Sequence, residues 1–151
     1  MNKIRVGLIA LVVAGFGTGT ALASKPVVGS KHTSNMLTHG RYLVTRAATC
    51  ADCHSPRDMK GQYLVGHDLQ GAPIGFNPIH PMPNWATIAP SIAGLPTGWT
   101  FNQTVHFLET GVMPGGSYAK PPMPEFRFNT HDARAIAIYL QSLPRPGKDL
   151  H

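Results

Sequence analysis

Two cysteines, Cys50 and Cys53, are the only ones among 151 residues, and only seven residues are acidic. No second C-x-x-C exists to complete a zinc site. A disulfide between cysteines this close would shut a very small loop. The βαβ pattern that would surround a thioredoxin-like redox pair is missing as well. There is no Gly-rich dinucleotide loop and no Ser/His/Asp arrangement, so nothing suggests substrate chemistry by side chains alone. Basic residues do not cluster with interleaved aromatics, which argues against a nucleic-acid partner. After residue 23 no further hydrophobic segment follows, and no internal repeat is visible.

What the chain does have is Cys50-Ala51-Asp52-Cys53-His54. This C-x-x-C-H pentapeptide has the pattern of a c-type haem attachment site. Cysteines three apart on a helical turn present both sulfurs on one side of the backbone. Each can then add to one vinyl group of the same porphyrin, and the adjacent imidazole suits iron. Attachment of one haem c would consume both thiols.

Residues 1–23 read as a secretory signal. Lys3 and Arg5 form a positive start, Val6 to Phe16 an uncharged run too short to span a bilayer, and Ala21-Leu22-Ala23 a small-x-small cleavage site. An uncleaved anchor is the alternative, weakened by Gly15, Gly17 and Gly19 in the extended run. Cleavage before Ser24 takes the formal charge from +6 to +4, because Lys3 and Arg5 leave. A modestly basic surface could steer the protein to an acidic partner. Export fits haem attachment outside the bacterial cytoplasm, so the expected location is the periplasm, and the mature product is not expected to be integral to the membrane.

Residues 24–33 read as a flexible leader. A helix is expected from about Ser34, as N-cap, to Thr49, with Met36, Leu37, Gly40, Leu43, Val44 and Ala47 on its apolar side. Gly40 on that face suggests close approach by another helix, because glycine otherwise costs about 1 kcal/mol there. Seven prolines and six glycines between Ser55 and Trp99 argue against long helices or central strands. Apolar residues punctuate that stretch, so it needs something to pack on. A second helix is expected at Thr100–Thr110 with a Thr100/Gln103 capping box and Gly111 at its end. After a Pro/Gly loop at 112–128, a last helix runs from about His131 to Ser142, N-capped by Thr130, with Ala133, Ile136, Ala137 and Leu140 as its stripe. Residues 34–146 would form the domain and 147–151 a tail.

This order of helix, C-x-x-C-H, irregular loops, middle helix, Met-bearing loop and closing helix resembles the class I c-type cytochrome domain. More specifically, Gly40-Arg41-Tyr42-Leu43-Val44, Pro83-Asn84 through Gly98-Trp99-Thr100, Pro122-Met123-Pro124 with Phe126, and Asp132 to Leu143 resemble haem domains of the cytochrome c subunits of membrane-bound alcohol and aldehyde dehydrogenases. The central loop departs from the usual Asn-Ile-Thr-Pro run with Asn84-Trp85-Ala86-Thr87. Those subunits carry several such domains and an anchor. The resemblance implies an all-α fold: a small cytochrome c-like domain of three to five helices with long loops around one covalently bound haem. It implies crossing of the first and last helices, with Tyr139 or Leu140 against Gly40.

It also implies a methionine as second axial ligand. Met36, Met59, Met82, Met113 and Met123 are the candidates in the mature chain; Met113 and Met123 lie where the family places it, and flanking prolines favour Met123. Trp99 is implied as a donor to a haem propionate, with Trp85 a rival. A carbonyl downstream of the motif should orient His54. Seven other histidines lack motif context as rival ligands. The function implied is single-electron transfer between an exported dehydrogenase and a respiratory oxidase or cytochrome, by an electron-transfer protein and not a catalytic enzyme. The alternatives are a five-coordinate haem protein that senses or reduces a small ligand, and a subunit whose haem is a passive link in a larger enzyme.

Overall fold

A computed structural model describes residues 29–147. The expected signal at 1–23, residues 24–28 of the leader and residues 148–151 lie outside the described residues. Four α-helices and one two-stranded sheet follow in order: α1 (Gly29–Tyr42), α2 (Ala51–His54), β1 (Ala72–Pro73), β2 (Ile88–Ala89), α3 (Phe101–Thr110) and α4 (Thr130–Ser142). A π-helical segment, Leu43–Ala47, continues α1.

The first helix departs from expectation at both ends. It already runs through residues 29–33 at the edge of the described residues, five residues before Ser34, so Ser34 is not the N-cap. That stretch contains no proline, and adding residues to an existing helix is far easier than nucleating one. The Ser34 carbonyl instead accepts the Thr38 hydroxyl at 3.0 Å. At the other end the wide π turn shifts the phase of the apolar stripe by one residue. Met36, Leu43 and Val44 are buried as expected, whereas Ala47 turns out to solvent. Leu37, at the edge of the stripe, is 37% exposed.

α1 and α4 cross at Gly40. A Cβ on Gly40 would overlap the Ala135 carbonyl and stand 3.0 Å from the Tyr139 Cβ, so the expected partner is Tyr139, together with the Ala135 backbone. Ala133, Ile136, Ala137 and Leu140 of α4 are all buried, and Ala135 joins them because it faces α1. The N-cap of α4 is Asn129 and not Thr130: its side-chain oxygen accepts the Asp132 N–H at 2.9 Å. An amide at this position also donates to Asp132 Oδ2 at 2.9 Å, a reciprocal bond that a threonine hydroxyl one residue later could not reach. We expect Gly40→Ala to lower stability by about 2 kcal/mol. Overpacking against backbone that cannot yield costs about 3 kcal/mol, offset by about 1 kcal/mol of helix propensity. Urea titration of the haem-loaded protein checks this; an unchanged midpoint would contradict the close crossing.

α3 is bounded as the sequence implies. Thr100 and Gln103 form the reciprocal capping box, and Gly111 closes the helix in the left-handed conformation at φ 74°. Between α2 and α3 the chain is irregular except where β1 and β2 pair antiparallel, Ala72 with Ala89 and Pro73 with Ile88. This short ladder was not legible in the sequence. Its two-residue strands tolerate Pro73 because both are edges. The core is shared by α1, α3, α4 and three loop residues, Leu69, Ala93 and Leu95.

Candidate haem site

The π segment feeds the chain into the motif. Ala48 N–H bonds the Leu43 carbonyl at 2.8 Å and Cys50 N–H the Val44 carbonyl at 3.0 Å, both reaching past the α-helical spacing. Thr49, at φ 48°, then reverses the backbone so that α2 begins on a new axis. Cys50 caps α2, Cys53 lies within it, and both thiols are free. Burial pushes the Cys50 thiol up to about 11, so it is not the ionised thiol that a redox pair or a zinc site uses. The residues after the motif are tied back to it. Arg57 bonds Asp52 at 3.1 Å, its guanidinium carbon lies 3.8 Å from the Tyr63 ring centroid, and the Tyr63 hydroxyl donates to Asp52. No local pattern signals this exposed network.

His54 is 6% exposed. Its Nδ1 is 2.8 Å from the Pro90 carbonyl oxygen. A carbonyl only accepts, so Nδ1 carries the proton and Nε2 is left with its lone pair. Burial lowers the His54 pKa below the usual value, against the pull of the Pro90 bond. The imidazole is therefore neutral at pH 7, as a metal ligand must be. Sequence reasoning required such a carbonyl without naming it. β2 positions it, because Pro90 directly follows Ala89. Gly71, at φ +92°, makes the approach possible: a Cβ there would lie 2.9 Å from the Ser91 nitrogen and 3.0 Å from the Ala89 oxygen. The Gly71 N–H in turn bonds the His54 carbonyl at 2.7 Å.

Two cavities of about 360 and 320 Å³ flank this histidine. Cys53, His54, Ile92, Phe107 and Met123 line both, so they are lobes of one space. Cys50 lines the second lobe; Trp99 and Met113 line the first. The structure thus brings together all five residues singled out from the sequence: Cys50, Cys53, His54, Met123 and Trp99. It also separates the methionines. Met36 is buried in the core, Met59 is fully exposed, Met82 is half-exposed, and none of the three lines either lobe. Trp99 packs edge-on against Phe107, with centroids 5.3 Å apart. Trp85 does not line the space, although its neighbour Ala86 does. Its buried Nε1 has no hydrogen-bond partner. Lys120 is the one fixed positive charge on the first lobe.

These residues fit a haem. The walls are apolar, a neutral imidazole presents a free nitrogen, two free thiols lie on one helical turn beside it, and a thioether shares the space. The Trp99 indole and Lys120 supply donors suited to peripheral carboxylates.

A small helical domain with a C-x-x-C-H turn opening on such a space is a class I c-type cytochrome domain. The comparisons agree with that class. Over 110 residues the chain is 30% identical to a diheme cytochrome c-type protein of Cereibacter sphaeroides, covering 70% of this chain and 34% of that one. Over 117 residues it is 32% identical to the cytochrome c subunit of a quinone alcohol dehydrogenase of Gluconacetobacter polyoxogenes, covering 72% and 24%. Over 132 residues it is 28% identical to the fructose dehydrogenase cytochrome subunit of Gluconobacter japonicus, covering 82% and 25%. The chain therefore spans a quarter to a third of the length of these curated relatives. No protein-family model matches it.

Proposed function

We propose that the chain is a single-electron carrier for which Cys50 and Cys53 would attach one haem c and His54 and Met123 would ligate its iron. The observation that carries this is the shared space: His54, with its Nε2 free, and Met123 line the same two lobes. When bound, haem c supplies reversible Fe(II)/Fe(III) cycling.

The chain's own residues do the rest. Pro90 fixes the tautomer and direction of His54 and makes its free nitrogen more basic. Pro122 and Pro124 restrict the backbone on both sides of Met123, which lowers the ordering cost of holding the thioether inward. The soft sulfur favours the reduced metal and so raises the potential. Ile92, Phe107 and Pro96 exclude water from the space. Trp99, which lines the space, would donate to a propionate; its sequence rival Trp85 does not line it. Met113 would be the alternative iron ligand, since it lines one lobe.

The signal at 1–23 would direct export to the periplasm, and cleavage before Ser24 would leave a mature chain that contains the whole described domain. No helix among the described residues is long and apolar enough to cross a membrane. Electron donors of the dehydrogenase type fit the relatives, which are named as cytochrome subunits of such enzymes. A respiratory oxidase or a second cytochrome would be the acceptor.

The test is covalency. Protein matured in a periplasm with haem-attachment machinery should keep its porphyrin after denaturation and extraction in acid acetone. Porphyrin recovered in the organic phase would contradict attachment through Cys50 and Cys53.

A further inference from the structure

His39 of α1 and His131 and Asp132 of α4 converge on one point away from the haem space; none of the three lines either lobe. We propose that they form a binding site for one divalent transition-metal ion of the zinc class, clamping the first and last helices at their crossing.

One ligand atom from each residue lies within 4.8 Å of the other two. His39 Nε2 is 2.7 Å from Asp132 Oδ1, and His131 Nδ1 is 3.4 Å from the same oxygen. The first distance is a good hydrogen bond; the second is too long to be one of any strength. With metal–nitrogen and metal–oxygen bonds of about 2.0–2.2 Å, neighbouring ligands of a tetrahedral ion stand roughly 3.3 Å apart. His131 is already at that separation. His39 gives up its shared proton and opens by about half an ångström to reach it. The imidazole rings are 5.3 Å apart and tilted by 43°, so neither stacks over the other's nitrogen.

Asp132 is oriented for the role. Its N–H is bound by Asn129 Oδ1 and its Oδ2 by Asn129 Nδ2, each at 2.9 Å, which leaves Oδ1 to face the histidines. The positive end of the α4 dipole opposes a cation here, and the carboxylate offsets it. The side chains of His39, Asp132 and His131 are 37%, 25% and 64% exposed, which leaves room for an ion to enter and for water to complete its coordination. Imidazole nitrogens with one carboxylate suit zinc, and copper and nickel by the usual affinity order.

Untagged, haem-loaded protein titrated with zinc chloride in a calorimeter should bind one ion. Saturating zinc should raise the thermal midpoint by roughly 5 °C, because the site exists only when α1 and α4 are docked. His131→Ala, on the exposed face of the first turn of α4, should weaken binding at least tenfold while leaving the zinc-free midpoint unchanged. His39→Gln should do the same to binding. His106→Ala, an exposed histidine on α3, should not affect it. No stoichiometric binding, or a loss smaller than tenfold in His131→Ala, would overturn the site.

Discussion

Met123→Ala should yield a protein whose haem stays covalently attached, whose reduced form binds carbon monoxide, and whose potential falls by more than about 0.1 V. The size follows from the roughly 0.8 V over which axial ligation tunes haem proteins. Loss of the thioether removes the ligand that favours Fe(II) and opens a coordination position. Met113→Ala is the control. Met113 N–H bonds the Ser117 carbonyl at 2.8 Å and Gly116 N–H bonds the Met113 carbonyl at 3.0 Å, so its backbone is held in a tight turn of its own. Visible spectra of both variants decide between them. If Met123→Ala kept the parent spectrum and Met113→Ala lost it, the ligand would be Met113.

The second large effect concerns folding. With Cys50→Ala and Cys53→Ala together, the chain should lose both its haem and its cooperative thermal transition. Residues 55–99 contain only two two-residue strands and the isolated bridge of Arg57 with Tyr63, and the loop at 112–128 only one isolated bridge, Val112 with Tyr118. From these stretches Ile74, Ile92, Trp99, Met113 and Met123 line the space beside His54. At about 24 cal/mol per Å³, leaving 360 Å³ empty has a ceiling of about 9 kcal/mol. That matches the whole stability of an ordinary domain, about 5–15 kcal/mol. Circular dichroism and calorimetry of the double variant provide the check. A sharp transition at the parent's midpoint would show that the polypeptide organises its core alone.

Much of this arrangement was legible before the coordinates. The motif, the α3 capping box and the α4 stripe are local patterns, and local patterns survive folding. Gly40 announced a close approach because glycine on an apolar helical face is otherwise unfavourable. The features that escaped are those set by distant partners. Nothing local to Pro90 says that its carbonyl meets a histidine 36 residues earlier. The π turn that carries α1 into Cys50 depends on where the motif must lie, and so Ala47 left the apolar stripe. Asn129 displaced Thr130 as N-cap because its amide can serve Asp132 twice. His39 sits in no motif; its bond to Asp132 spans 93 residues and appears only when α1 and α4 cross. Likewise the choice among methionines narrowed once Met36 took its place in the core and Met82 turned outward.

The most direct test of the central claim is a potentiometric titration of the purified haem-loaded protein, followed by visible spectra and repeated under carbon monoxide. A one-electron His/Met carrier should give a single reversible one-electron wave. Its oxidised form should show the weak far-red band of methionine-ligated Fe(III), and its reduced form should not change with carbon monoxide. Tight carbon monoxide binding by the unmutated protein, with no methionine band, would contradict the account and identify a haem with an open face.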